Sequence, residues 1–500
     1  MTPAIDPIAA HAGTRSGHLA LADLASGLRW TYAALDVEVN RYAAWLAGEL
    51  GGASGARVVL LMRNCAEMII LQHACSRAGA IFVPLNWRLA SAEIEALLAD
   101  AGPSLLIGDP EFATPGAIRT LTLADVAARL PAPGARPPAD ARRDFDATTT
   151  LLYTSGTSGR PKGVMISEAN AFWGATNLMH GNGVTGDSVF LVDVPLFHTA
   201  GLFGAARPPI LAGGTALISA GFEAPITLGR LADPALGVTH YFSVPQIAQV
   251  LWNTPGFDPA MLRALKVMPT GGAPNPAAQV ERFVRAGIPM SDGFGMSETG
   301  SNFGTPVNDP TLMIAKAGSC GKPYIAIAAR IVDDEGRDVV EGEVGELWLA
   351  GPSITAGYWN QPELTAAAFT DGWFRTGDAA RRDSDGYYWL VDRKKDMYIS
   401  GGENVYPAEV EAVLAEWPGV AEAAVIGVPD PRWGETGRAY IIAAPGKTVS
   451  TDDLEKHCRS RLARFKVPAT VVLTDAIPRT ASGKVQKHVL RERAKGEMGG

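Results

Sequence analysis

Cysteine is scarce: there are four in 500 residues (Cys65, Cys75, Cys320 and Cys458), and no two form a CxxC pair. That spacing supports neither a disulfide framework nor a zinc site, and a reducing compartment is expected. The N-terminus, Met1-Thr-Pro-Ala-Ile-Asp6, lacks the basic and apolar regions of a signal peptide. A long uncharged apolar run is missing too. The least charged stretch, 196–222, contains His198, Arg207, Pro208 and Pro209, so buried core is expected there rather than a membrane span. Basic excess is absent: 44 Lys and Arg against 52 Asp and Glu give a net charge of −8, which disfavours nucleic acid as a partner. Residues 396–500 hold 14 basic and 14 acidic side chains, so the whole negative balance lies in 1–395.

What is present is an ordinary globular composition, 47% hydrophobic and 19% charged, in a chain long enough for more than one core. Glycine (55) and proline (35) are plentiful but scattered, as suits many loops. The first 110 residues alternate helix-like and strand-like segments. Thr31 caps a helix to about Leu50. Strands are expected at 58–62, 80–85 and 104–107, with helices at 68–77 and after a Ser91 cap. This is a βαβ rhythm, implying a mostly parallel, helix-covered sheet. Ser243-Val-Pro-Gln246 has capping-box spacing before an apolar helix. From about 328 the texture turns to short strands and turns, a small β-rich subdomain. After the charged run Asp392-Arg-Lys-Lys-Asp396 comes a compact α+β pattern: helix 407–416, strands 421–428 and 438–444, helix 451–463 and strand 470–474.

The segment with most chemical content is Thr154-Ser-Gly-Thr-Ser-Gly-Arg-Pro-Lys-Gly163, which follows an apolar strand. Small residues let backbone N–H groups approach phosphate oxygens, hydroxyls add donors, and Lys162 adds charge. It is not a Walker A loop: counting from Gly156, Pro161 stands at the second glycine and Gly163 where Ser or Thr would bind magnesium. No G-x-S-x-G elbow occurs, and Gly293/Gly295 lack the rest of a dinucleotide fingerprint.

This loop resembles the phosphate loop of the acyl/aryl-CoA synthetase, adenylation-domain and luciferase superfamily. Four further segments resemble its motifs in the same order: Asp292-Gly-Phe-Gly-Met-Ser-Glu298, Trp373-Phe-Arg-Thr-Gly-Asp378, Asp392–Asp396 with Ser400-Gly-Gly-Glu-Asn404, and Pro478-Arg-Thr-Ala-Ser-Gly-Lys484. The resemblance spans essentially the whole chain and is closest in texture to fatty-acyl-CoA and feruloyl- or coumaroyl-CoA synthetases. It implies an α/β enzyme with a large N-terminal domain (1–394) of helix-covered sheets plus the β-rich subdomain. A hinge at Lys395 and a small mobile α+β C-terminal domain (396–500) follow.

The implied reaction is ATP-dependent adenylation of a carboxylic acid, then transfer of the acyl group to the thiol of coenzyme A. Residue by residue, the resemblance implies that Thr154, Ser155, Gly156, Thr157 and Lys162 hold the phosphates. Glu298, with Thr154, holds Mg²⁺, since a hard cation on a triphosphate takes carboxylate oxygen. Ser297 reaches the α-phosphate. Phe294 stacks on adenine within the Gly295-Met296 turn. Asp292 accepts from the adenine amino group, and Gly272, Ala273 and Pro274 form the other wall. Asp378 and Arg393 grip the ribose. Lys484 bridges the α-phosphate and the acyl oxygen in the first step, and His198 borders the acyl carbonyl. Gly401 and Gly402 admit the pantetheine arm of CoA.

Phe197, Leu202, Tyr241 and Asn302 are the expected lining of the acid pocket. With no obvious basic residue there, an apolar monocarboxylate is expected, either a medium- to long-chain fatty acid or an aryl-propenoic acid such as ferulate or coumarate. The alternative is a stand-alone adenylation enzyme that loads a carrier-protein thiol. A light-emitting oxygenase and a nucleotide sensor are weaker alternatives. A cytoplasmic monomer or homodimer without a transmembrane segment is expected, with peripheral membrane contact left open.

Overall fold

The computed structural model describes residues 5–112, 118–138, 144–154, 162–273, 275–393, 396–400, 403–431, 433–462, 464–479 and 483–498. The chain divides into two compact units, Met1–Ala329 with Leu349–Phe374, and Arg330–Trp348 with Arg375–Gly500. The proposed hinge at Lys395 falls within the sequence of the second unit and lies outside the described residues.

The βαβ rhythm of the first unit produces a six-stranded sheet. Its order is Thr120–Leu121, Leu105–Gly108, Arg57–Leu61, Ile81–Pro84, Thr148–Thr154 and Lys162–Ser167. All neighbours pair in parallel except the last two, which form a hairpin. Alternate residues serve opposite faces. Val58, Leu60, Phe82, Leu105 and Ile107 enter one core, and Val59, Leu61, Ile81, Val83 and Leu106 the other. Both faces are therefore apolar, as a parallel sheet requires. Helices Tyr32–Glu49 and Ala66–Ala78 contribute to the first core and helix Ser91–Ala101 to the second.

Two further four-stranded sheets belong to this unit. One orders Arg29–Thr31, Leu19–Asp23, Thr215–Ile218 and Val189–Val192. The other orders Met268–Thr270, Met290–Met296, Gly300–Gly304 and Lys322–Pro323. Single bridges from His240 to Phe190 and Val267, and from Ser243 to Thr270, run between them.

Of the three caps expected from the sequence, one forms. Thr31 caps its helix by accepting from the Ala34 amide. Ser91 does not cap: it is the first helical residue, and the Ala90 amide is satisfied by the Glu93 carboxylate at 2.9 Å. Nor does Ser243. Pro245 opens its helix at N1, which makes Val244 the cap and leaves Ser243 one position too early, donating its amide to Pro269. No described helix is long and apolar enough to cross a membrane.

In the second unit, strands Val420–Asp430 and Gly434–Ala443 form a long antiparallel pair, with Tyr398–Ser400 and Thr470–Leu473 along Gly434–Ala443. One face packs Val425, Ala439 and Ile441 on Val410 and Leu414 of helix Pro407–Ala415 and on Leu454 and Cys458 of helix Thr451–Arg459. The other packs Ala424, Ile426 and Tyr440 on Leu490 and Ala494 of helix Lys487–Met498. The second helix ends at Arg459, short of the expected 463, with Ser460 as its C-cap.

Candidate functional site

The turn after the glycine-containing strand Met290–Met296 carries the acidic candidate. The Met296 amide donates to Thr299 Oγ1 at 3.2 Å and the Thr299 amide returns to the Met296 carbonyl, so Ser297 and Glu298 project from a closed turn. Gly295 is required there: a Cβ would lie 2.3 Å from the Gly300 carbonyl oxygen. Glu298 is buried, and its Oε1 accepts from the Tyr358 hydroxyl at 3.1 Å. Lys162 places its ammonium 5.3 Å from the centre of the same tyrosine ring, a cation–π contact. Thr154 stands opposite Lys162 in the hairpin register. The fold thus brings Lys162 and Glu298 to one aromatic side chain that the sequence reading did not single out. Tyr358 has no recognisable pattern around it, since its position depends on the bridge it makes to Val164. Ser155, Gly156 and Thr157 lie outside the described residues, as does Pro274.

Ser297 meets the acid-side candidates directly. Its Oγ accepts from Thr199 Oγ1 at 2.8 Å. Thr199 follows His198, whose ring packs edge-on against Phe197 with centroids 4.6 Å apart. A π-helical turn, Ala200–Ala206, begins at once, a departure from α-geometry often seen at functional sites. Asn64 holds the approach to it: its amide donates to the Val194 carbonyl and its oxygen accepts from the Leu196 amide, both at 2.9 Å.

A narrow cavity opens beside this turn, lined by Ala171, Gly174, Thr199, Phe203, Ser297 and Glu298, with Gly300 and Ser301 beyond. The residues expected to line an acid pocket sit differently. Tyr241 is 0% exposed, and its hydroxyl donates to the buried Asp193 carboxylate at 3.0 Å. Asn302 is also 0% exposed and spends its amide on the Thr299 carbonyl and its oxygen on the Thr299 hydroxyl. Phe197 and Leu202 are buried; Leu202 belongs to the core, and the Arg88 guanidinium lies over the Phe197 ring. Apolar character alone could not separate a pocket wall from the core beneath it.

Asp292 heads a buried polar chain. Its Oδ1 accepts from Thr270 Oγ1 and from the Gly293 amide, both at 3.1 Å. Asn275 in turn donates to Thr270, and Gln279 to Asn275. Burial dominates and pushes the carboxyl up to about 8. The folded protein therefore holds this proton to about pH 8, whereas an unfolded chain releases it near 3.8. Stability falls as pH rises between those values. Asp292→Asn cannot ionise, so its melting temperature is expected to gain on the wild type from pH 5 to 8, on the order of 5 °C. A constant difference across that range in thermal melts would remove the buried-acid argument.

Phe294 faces Phe303 across the strand pair, with ring centroids 6.0 Å apart. Gly272 and Ala273 lie in the turn beyond Thr270.

In the second unit, Asp378 is buried and pairs in register with Arg393 across an antiparallel ladder. The Asp378 amide donates to Thr376 Oγ1, which itself donates to the Leu347 carbonyl. Lys484 is exposed. Arg479 bridges to Val485 by backbone, donates to the Gly483 carbonyl at 2.6 Å and reaches Glu422 at 2.6 Å, which holds the two neighbours of Lys484. Gly401 and Gly402 are outside the described residues.

Residues 8–359 match the AMP-binding enzyme family and residues 409–484 the AMP-binding enzyme C-terminal domain. The chain is 41% identical over 469 residues to a feruloyl-CoA synthase from an Amycolatopsis species, covering 93% of this chain and 94% of that protein. It is 36% identical to an indoleacetate–CoA ligase from Aromatoleum aromaticum, covering 96% of each. Among solved structures, ATP-bound MatB from Rhodopseudomonas palustris superposes with a TM-score of 0.88 at 31% identity over 96% of both chains. Five ordered motifs, this fold and these likenesses together place the chain in the AMP-binding enzyme family, as an AMP-forming CoA ligase of the adenylate-forming superfamily.

Proposed function

We propose that the enzyme activates an apolar monocarboxylic acid, with an aryl-propenoic acid such as ferulate or coumarate as first candidate and a fatty acid as second. The cavity beside Ser297 and Glu298 carries the reading: among the described residues that line it, Glu298 is the one charged side chain, and none is Lys or Arg. The buried Arg207 is committed to Glu168 in an ion pair. A second carboxylate on the substrate would meet no basic side chain among the described lining residues and would lie near Glu298. The likeness to a feruloyl-CoA synthase supports the aryl choice.

In this reading Thr154, Ser155, Gly156, Thr157 and Lys162 bind the β- and γ-phosphates, and Ser297, oriented by Thr199, reaches the α-phosphate. Asp292, Phe294 and the backbone of Gly272–Pro274 bind adenine. With its pKa near 8, Asp292 is protonated at neutral pH and donates a hydrogen bond to the ring as well as accepting one. Asp378 and Arg393 take the ribose. Glu298 suits Mg²⁺: among the described residues no cluster of three or more acidic, histidine or cysteine groups exists. A cation there would rest on one carboxylate, the phosphates and water, which is how Mg²⁺ is commonly bound. Bound Mg²⁺ would neutralise phosphate charge.

Lys484 spreads its charge over the α-phosphate and the attacking carboxylate as the acyl-adenylate forms and pyrophosphate leaves. Rotation about Lys395 then withdraws it and turns Gly401 and Gly402 toward the pantetheine of CoA. The thiolate attacks the acyl carbonyl, and AMP departs. An unperturbed thiol pKa near ~8.5 makes a strong base unnecessary.

The test is kcat/KM for acetate, malonate, octanoate, palmitate, benzoate, coumarate and ferulate under one set of conditions. Coumarate or ferulate is expected first, with acetate and malonate lowest by at least about 10²-fold, since each buried methylene contributes about 0.8 kcal/mol. Acetate or malonate at the head of the ranking overturns the apolar-slot argument.

A further inference from the structure

Residues 353–359 tie the turn at Glu298 to strand Lys162–Ser167. On the turn, Ser353 Oγ donates to the Thr299 carbonyl at 2.8 Å and the Thr355 amide to the Glu298 carbonyl at 2.7 Å. On the strand, the Met165 amide donates to the Gly357 carbonyl at 3.0 Å and the Trp359 amide to the Gly163 carbonyl at 2.7 Å. Tyr358 stands between those two contacts, and its own amide donates to Thr365 Oγ1 at 2.9 Å. Gly357 makes this path possible: its φ is 142°, and a Cβ would lie 2.3 Å from Thr365 Cγ2. The backbone on both sides of Tyr358 is therefore held, and its side chain is buried within the first core.

This fixed ring meets two opposite charges. Its hydroxyl donates to Glu298 Oε1, and the Lys162 ammonium lies over its face. Among the described residues, Lys162 and Glu298 pair neither with each other nor with another charged group. Both have flexible stems and they attract, so holding them apart takes a rigid group that gives each something else to contact.

We propose that Tyr358 is a positioning residue for ATP, with its ring holding the Lys162 ammonium and its hydroxyl the Glu298 carboxylate. Kept apart, each charge is left for the nucleotide. An ammonium already paired with Glu298 would be neutralised before the phosphates arrive, and the triphosphate would have to break that pair. This rests on Lys162 binding the phosphates, as proposed above.

The test is ATP affinity by calorimetry in EDTA, without acid or CoA, so that neither metal nor turnover enters. Lys162→Ala tests the underlying reading and should weaken ATP binding by about tenfold or more. An unchanged affinity there would remove Lys162 from the phosphates and the proposal with it. Tyr358→Leu should also weaken ATP by about tenfold, because a lost cation–π contact and a competing ion pair each contribute about threefold. Tyr358→Phe keeps the ring and should stay within about threefold of the wild type. The distinguishing measurement repeats Tyr358→Leu in a Glu298→Gln background, where no carboxylate remains to capture the ammonium. Its cost there should shrink to about threefold, the cation–π share alone. A merely structural tyrosine would cost the same factor in both backgrounds. That result, or a folded Leu variant with wild-type affinity beside a weakened Lys162→Ala, overturns the proposal and leaves the phosphate reading standing. If thermal melting shows that the Leu variant does not fold, Tyr358→Met, which keeps bulk without an aromatic face, is read in its place.

Discussion

Lys484→Ala is expected to cut adenylate formation by about 10³-fold while leaving thioester formation from supplied acyl-adenylate and CoA within about threefold of the wild type. The first figure follows from the chemistry. Carboxylate attack on the α-phosphorus brings two anions together, and a placed cation that meets charge developing in the transition state is worth about 10²–10³-fold or more. The second follows from the proposed withdrawal of Lys484 before CoA reacts. Fold damage should be small, because Lys484 is exposed and the neighbouring Gly483 is held by Arg479, which is itself paired with Glu422. Pyrophosphate exchange reports the first half-reaction, and mass detection of the CoA ester reports the second. Collapse of both by similar factors would show that Lys484 serves binding or folding throughout, and the two-conformation reading would fall.

Glu298→Gln should be the next most damaging change, lowering adenylation on the order of 10²-fold and moving the half-saturating Mg²⁺ concentration upward. Glutamine keeps the shape of the side chain and still accepts the Tyr358 hydroxyl that now reaches Oε1 at 3.1 Å. What it loses is the carboxylate charge, the property a hard cation selects. Titrating Mg²⁺ at saturating ATP separates this from a general loss of ATP affinity. Tyr358→Phe is the companion variant: it removes the hydroxyl donor but leaves the carboxylate charged and the ring beneath Lys162 in place. Its Mg²⁺ midpoint should move far less. An unshifted midpoint in the glutamine variant would take Glu298 out of the metal site.

The sequence by itself determined the family and most of the scaffold. Its five motifs are each contiguous, so their spacing survives in a linear reading. The alternation of Val58, Val59, Leu60 and Leu61 between two cores follows from strand geometry alone. Thr31 caps its helix because the donor it satisfies, the Ala34 amide, is three residues away. The two failed caps mark the limit of this local logic. A proline at 245 and a glutamate at 93 each moved the helix start by one residue.

Tertiary structure alone decided how Lys162 and Glu298 come to share Tyr358 and which residues bound the cavity. Tyr358 lies 60 positions from the carboxylate it donates to, Thr199 lies 98 from Ser297, and Asn64 lies 130 or more from the carbonyl and amide it secures. Nothing local fixes such pairs, because they depend on which strands and helices pack together. The same reason sent Tyr241 and Asn302 into the core while Phe203 and Gly174 became wall. Residue type does not separate the two sets, because a residue's distance from the cavity is set by sheet register and helix phase. Tyr324 shows it most clearly. In the sequence it is one aromatic after a Lys-Pro pair, and only the glycines packed against it, at 181 on helix Glu168–Asn182 and 304 on strand Gly300–Gly304, reveal that the space was built for its ring.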